Sequence, residues 1–283
     1  MNKPKSNKTK AVFFDIDGTL LLLGKGPFRE DLDAMEEAVR KGNFLFLNSG
    51  RSFSNIPDNI LELPFWSGIA AGGGAHVLMK DNTALNNKGE INKPSPQISR
   101  SMYKTIYHKW VDKQLLEDIT VFYLGHSKSI VLEGEKDCYA ITPSDLYYTA
   151  DFAKAITDKN DFSNLYPDDF ITKLTIEGSV SKEERGLLED FFTINSFHDY
   201  TEAVIKGENK GRAMEIILDT MGIKQENSIA IGDGINDIDM FKFAGLGIAM
   251  GNANDEVKAA AGEITGNCGK GGAALALKRF VLG

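Results

Sequence analysis

The chain has 283 residues, of which 42% are hydrophobic and 25% charged, enough to bury the core of one large domain or two ordinary ones. Its formal net charge of −8, with no dominant basic stripe, speaks against nucleic acid as the main partner. No apolar run reaches the ~18 residues of a transmembrane span, and Cys138 and Cys268 form no CxxC pair, which fits free thiols in a reducing cytoplasm.

The basic start, MNKPKSNKTK, leads into an apolar stretch that is broken at Asp15 and offers no cleavage site, so a signal peptide is not expected. Lys10–Asp15 is β-branched and aromatic, bounded by Gly18, and predicts a strand. Glu30–Lys41 predicts a helix, with Leu32, Met35 and Val39 on one face and Gly42 to end it. The runs NFLFLNSGR and SGIAAGGG predict two further strands. Short apolar runs separated by helical segments are the pattern of a parallel sheet covered on both faces.

The stretch from Leu85 to Tyr200 breaks this rhythm and predicts an inserted α+β unit behind the Pro-marked connector NKPSPQ. Strands are expected at Thr120–Leu124, Ser129–Glu133 and Ile171–Glu177, and helices at Ser99–Lys109, Ser144–Ala155 and Lys182–Phe192. Phe152, Phe162, Tyr166 and Phe170 are expected to form the core of this unit. From Thr201 the alternation resumes, with helices at Lys210–Met221, Ile235–Ala244, Asp255–Ala261 and Gly272–Leu282 and strands at SIAIGD and LGIAM. The expected organisation is therefore a core domain in two parts, residues 1–84 and 201–283, around an inserted unit at 85–200. The fold class is α/β, a doubly wound, mostly parallel sheet.

Four short motifs carry chemistry, each at the end of a predicted strand or the start of a helix. In DIDGT, Asp15 and Asp17 stand two positions apart at the carboxyl edge of the sheet, where open α/β folds bind ligands. On an extended backbone they would face the same way. In GDGINDIDM, Asp233 ends a second strand, and Asn236 and Asp237 follow; acids from two strands can converge on one cation. Oxygen ligands with no Cys or His nearby point to Mg²⁺ rather than Zn²⁺. Ser49, Gly50 and Arg51 offer a hydroxyl and backbone N–H groups to phosphate oxygens at a strand-to-helix junction. Lys210 opens a helix, where its charge opposes the dipole and suggests an anion beside it; Lys206 is the rival in the same stretch. By contrast, GNCGKGG lacks the first glycine and the final Ser/Thr of a phosphate loop, and His76, His108, His126 and His198 fit no metal spacing.

In this order, DIDGT, NSGR, ENKGRAM and GDGINDIDM resemble the four motifs of the haloacid dehalogenase-like superfamily. The inserted middle followed by GIAMGNANDEVKAAA resembles its Cof-type phosphatases, which carry a cap of the C2 type. The resemblance implies that Asp15 attacks phosphorus to form an aspartyl-phosphate and that Asp17 protonates the leaving oxygen and later activates water. It implies Mg²⁺ bound by Asp15, Asp233 and the backbone carbonyl of Asp17, with Asp237 behind it, directed to the metal's waters or to Lys210. Ser49 and Lys210 would bind the phosphoryl oxygens, with Gly50, Arg51, Asn236 and Asn252 near the substrate. Relatives carry Asn where this chain has Gly73, and Thr where it has Ser49. The implied activity is hydrolysis of small phosphorylated metabolites, sugar phosphates foremost. A phosphomutase using the same aspartyl-phosphate, or a non-catalytic binding protein on the same fold, are the alternatives.

Overall fold

The computed structural model describes residues 9–81, 100–142, 153–158 and 169–283. Its strands, in chain order, are β1 (Ala11–Phe14), β2 (Phe44–Asn48), β3 (Trp66–Ala71), β4 (His76–Lys80), β5 (Tyr103–His108), β6 (Ile130–Gly134) and β7 (Cys138–Ile141). They continue with β8 (Ala153–Ile156), β9 (Ile171–Glu177), β10 (Phe192–Ser196), β11 (Tyr200–Ile205), β12 (Ser228–Gly232), β13 (Leu246–Ala249) and β14 (Glu263–Ile264).

Two sheets result. The first runs β14-β13-β12-β1-β2-β3-β4-β5 and is parallel as far as β3, with β4 and β5 added antiparallel. The second runs β10-β11-β9-β6-β7-β8 and is antiparallel except for the β7–β8 pair.

The first sheet is apolar on both faces because β1 and β2 are fully interior and successive side chains alternate. Val12, Phe14, Leu45 and Leu47 join one core, which the helices Arg29–Arg40 and Gly272–Phe280 cover through Ala34, Met35, Ala38, Ala273 and Leu277. Ala11, Phe13 and Phe46 join the opposite core under the helix Lys210–Met221, which supplies Ala213, Met214, Ile217 and Leu218. That helix starts where the Asn209 side chain accepts from the Arg212 N–H at 2.9 Å, and it ends at the left-handed Gly222. The second sheet has its own core, closed on one side by Leu116, Ile119 and Tyr123 of the helix Lys113–Leu124.

The inserted region is where expectation and structure part. Thr120–Leu124 is not a strand but the last turns of the helix Lys113–Leu124, which Asp112 caps by accepting from the Gln114 and Leu115 N–H groups. Its buried residues, Leu116, Ile119, Thr120 and Tyr123, follow helical spacing that a five-residue apolar window conceals. Of the helix expected over Ser99–Lys109, Ser99 lies outside the described residues, Arg100 and Ser101 are helical, and Tyr103–His108 is instead β5, whose backbone groups pair with β4. Within the helix expected over Ser144–Ala155, residues 144–152 lie outside the described residues, and Ala153–Ile156 is β8, paired with β7. The helix opening at Lys182 stops at Leu188, and β10 begins at Phe192.

Of the expected aromatic core, Phe152, Phe162 and Tyr166 lie outside the described residues, as does the connector NKPSPQ. Phe170 is 39% exposed and packs on His108 and Trp110 instead. Two strands also fall on the far side of the expected boundaries at 85 and 200: β5 belongs to the first sheet and β11 to the second.

The two-sided core makes a direct prediction. Phe46 is fully buried and stacks on Phe13 with ring centroids 4.7 Å apart. Phe46→Ala should cost about 3–5 kcal/mol, read in urea as a lower midpoint with an unchanged slope. An unchanged midpoint would show that this face is not the tightly packed core described.

Candidate active site

Because β1 and β12 are parallel neighbours, with Phe14 opposite Ile231, their carboxyl ends release Asp15 and Asp233 side by side. The Asp15 N–H donates to the Ile231 carbonyl at 3.0 Å, which extends the pairing by one residue and fixes where its side chain leaves the sheet. On the other side of β1, β2 ends at Asn48 and delivers Ser49.

Lys210 closes the site from the helix side. Its ammonium donates to Asp15 at 2.6 Å and to Asp237 at 2.5 Å, and all three side chains are buried. Its own carbonyl accepts from the buried Asn48 amide at 2.9 Å. The rival, Lys206, donates to the Glu189 carbonyl at 3.1 Å and is exposed. Asp237 is fully committed: its other oxygen accepts from the N–H groups of Asp233 and Gly234, each at 2.8 Å.

Asp15, Asp233 and Asp237 each offer a carboxylate oxygen within 4.8 Å of the other two. Three carboxylates against one ammonium leave two negative charges without a partner in the cluster. An all-oxygen donor set with that excess suits a hard divalent cation. Burial pushes the Asp15 carboxyl up to about 8, with Asp237 and Asp233 adding to the effect and Lys210 opposing it. Burial, with the charge of Asp237, likewise pushes Asp233 up to about 6. Burial alone would lower Lys210; the charges of Asp15 and Asp237 reverse this and hold it above the usual lysine range.

Asp233 is held in place by Thr19, whose hydroxyl donates at 3.0 Å, and by the Asn252 amide at 3.1 Å. Gly18 lies against it with φ +82°, and a Cβ there would stand 2.0 Å from an Asp233 oxygen, so only glycine leaves room for the carboxylate. Asn252 also donates to the Gly18 carbonyl and accepts from the Cys268 N–H, so its polar atoms brace this loop.

Asp17 does not join the cluster. The strand ends at Phe14, so the two-residue period no longer aligns it with Asp15, and its carboxylate is held by Arg51 in a two-pronged pair of 2.6 and 2.9 Å. Arg51 itself therefore faces Asp17. The Ser49 hydroxyl is buried and accepts from the Arg51 N–H at 3.1 Å.

A cavity of about 540 Å³ opens above Lys210 between the two sheets. Gly50, Gly73, Asn236 and Lys210 line it from one side and Thr193, Asn195, Glu202 and Val204 from the other. Gly73 has φ +64°, and a Cβ there would stand 3.0 Å from Val204, so a side chain at this position requires Val204 to give by a few tenths of an ångström. Glu202 accepts from Lys173 at 2.5 Å, and Lys173 lies 3.4 Å from Glu133. Glu133 in turn accepts from Ser52 N–H and the Asn55 amide in the first sheet's loop. Sequence reasoning missed this buried relay. Its only local signal was charged residues alternating with apolar ones along β9 and β11.

The family model described as haloacid dehalogenase-like hydrolase matches residues 12–95 and 97–277. The chain belongs to that family. This hydrolase is 26% identical over 275 residues to a 5-amino-6-(5-phospho-D-ribitylamino)uracil phosphatase of Bacillus subtilis, covering 96% of each chain. It is 26% identical over 282 residues to a Streptococcus pyogenes protein provisionally named a bifunctional phosphatase/peptidyl-prolyl cis-trans isomerase. It spans 56% of the length of that relative. Among solved structures, a haloacid dehalogenase subclass IIB sugar phosphatase aligns with TM-score 0.74 at 25% identity, covering 96% of this chain and 99% of the other. With such relatives, this member of the family is an enzyme of the phosphatase class. No helix among the described residues is long and apolar enough to cross a membrane.

The raised carboxyl values fix a sign. Without a cation the folded chain keeps protons that the unfolded chain, with aspartates near 3.8, has already released. In chelator, stability should therefore be lost as pH rises through about 6 and about 8. A divalent cation should restore it most at the high end, where it no longer competes with protons. Thermal melts with chelator and with cation across this range check it; a melting point in chelator that climbs with pH contradicts it.

Proposed function

We propose that this hydrolase is an Mg²⁺-dependent phosphatase of small phosphorylated metabolites, sugar phosphates foremost, working through an aspartyl-phosphate on Asp15. The observation that carries this reading is the buried Lys210 ammonium held between Asp15 and Asp237, on a residue that also borders the cavity. A nucleophilic carboxylate, a fixed cation and a further acid from the neighbouring strand are the groups that phosphoryl transfer requires. Asp15 and Asp233, with the Asp17 carbonyl, would hold Mg²⁺, and Asp237 would orient Lys210 and the Asp233 loop. When bound, the metal offsets the surplus negative charge and draws the phosphoryl oxygens in.

The residues divide the work. An Asp15 oxygen attacks phosphorus, the bond from phosphorus to the ester oxygen breaks, and Asp17 gives its proton to that oxygen. Water then attacks the phosphorus of the aspartyl-phosphate, giving up its proton to Asp17; the bond from the Asp15 oxygen to phosphorus breaks, which restores the carboxylate, and inorganic phosphate leaves. Lys210, Ser49 and Asn236 hold the phosphoryl oxygens as charge spreads over them. A phosphate group offers Arg51 a competing two-pronged partner, and binding it releases Asp17 for proton transfer.

The second sheet acts as a cap over the site, spanning the chain from the end of β5 to the helix that opens at Lys210. It limits substrate size and excludes bulk water. Glu202, Thr193 and Asn195 supply acceptors and donors suited to substrate hydroxyl groups, which favours a polyol or sugar phosphate.

A phosphate-release screen over sugar, nucleotide and cofactor phosphates, with and without Mg²⁺, tests the reading. Asp15→Asn should lower turnover by at least about 10³-fold while leaving the fold intact. A sugar-phosphate isomer in place of free phosphate would indicate a mutase. Full activity in the variant would remove Asp15 from the chemistry. Lys210→Ala should cost about 10²-fold or more in kcat and Lys206→Ala little, measured on the same substrate; the reverse order would reassign the lysine.

A further inference from the structure

The described residues hold a second cluster of metal-ligating side chains, built from residues that the phosphoryl site does not use. His76 on β4, His108 on β5 and Glu135 in the turn after β6 each offer a donor atom within 4.8 Å of the other two. His76 and His108 are direct cross-strand partners, their rings stacked with centroids 4.2 Å apart. His76 is 1% exposed, and its Nε2 lies 2.9 Å from the Thr105 hydroxyl oxygen. With Nε2 donating there, the lone pair falls on Nδ1, which is buried and has no hydrogen-bond partner. In His108, Nδ1 stands 3.9 Å from a Glu135 oxygen, too far for a hydrogen bond, and Nε2 is buried without a partner.

Two buried imidazole nitrogens without a partner, one on each ring, are costly unless something fills the gap. Two imidazoles and one carboxylate form a donor set for a borderline ion of the zinc class, unlike the all-carboxylate set around Asp15. The Thr105 contact is the outer partner that orients a ligating imidazole. Donors around tetrahedral zinc stand about 3.3 Å apart, given bonds near 2.0–2.1 Å, so loading requires the rings to turn and close up.

We propose that His76, His108 and Glu135 bind one zinc-class divalent ion that pins the first sheet to the second. His76 and His108 belong to the first sheet, while Glu135 follows β6 of the second. His108 is also the last residue before the connection that carries the chain between them. An ion there would restrain the second sheet beside its point of attachment.

The test uses the full chain stripped with chelator, then given excess Mg²⁺ to occupy the carboxylate site, and titrated with Zn²⁺ under equilibrium dialysis. One zinc per chain is expected, and Co²⁺ in its place should give the strong visible absorption of a four-coordinate site. His108→Ala should abolish both signals. Glu135→Gln, at a partly exposed turn position that tolerates change, should weaken zinc binding by at least the roughly tenfold that loss of an outer partner costs. Asp233→Ala should keep the zinc. The proposal falls if wild type retains no zinc, if Glu135→Gln binds it as tightly, or if Asp233→Ala loses it.

Discussion

The arrangement depends on one buried charge. Lys210 places its ammonium between Asp15 and Asp237 in the interior, where an unpaired ion would cost several kcal/mol. The three residues come from the end of β1, the start of a helix and the turn after β12, so their pairing ties together three segments distant in sequence. Lys210 alone cannot balance the acids around it. The negative surplus that remains suits a divalent cation and by itself would repel a phosphoryl group.

Around this pair, the loops are built to close tolerances. Gly18 gives way to Asp233, and Thr19 and Asn252 hold the two Asp233 oxygens from opposite sides. A similar fit joins the two sheets. A Cβ at Gly72 would meet Thr172 of β9, and one at Gly73 would meet Val204 of β11. The glycine-rich turn after β3 therefore presents bare backbone to the second sheet. The relay from Ser52 and Asn55 through Glu133 and Lys173 to Glu202 then carries polar contact from the first sheet to the cavity wall. A side chain on the cavity wall is thus anchored, through buried charges, to the loop that also bears Ser49 and Arg51.

Much of this was legible in the residues. The strands before Asp15, Ser49 and Asp233, and the helix beginning at Lys210, stand close to where their apolar patterns put them, because a strand buried on both faces leaves a continuous apolar run. The inserted region was harder to read. Two of its strands, β6 and β9, stand where expected, whereas β5 mixes apolar residues with charge until it suggests a helix. Nothing local to Tyr103–His108 reveals that β4 will be its partner. For Asp17, a period of two holds only while the backbone stays extended, and the strand ends at Phe14.

By itself, the sequence determined the parallel core, the acids at its strand ends and the lysine that opens a helix, since each rests on a pattern within a few neighbouring residues. Tertiary structure decided which side chains meet. It gave Asp17 to Arg51 and Asn252 to Asp233, put Val204 beside Gly73 and brought His76 and His108 together with Glu135. Those choices join positions tens to hundreds of residues apart, and only the folded packing of two sheets sets the distances between them.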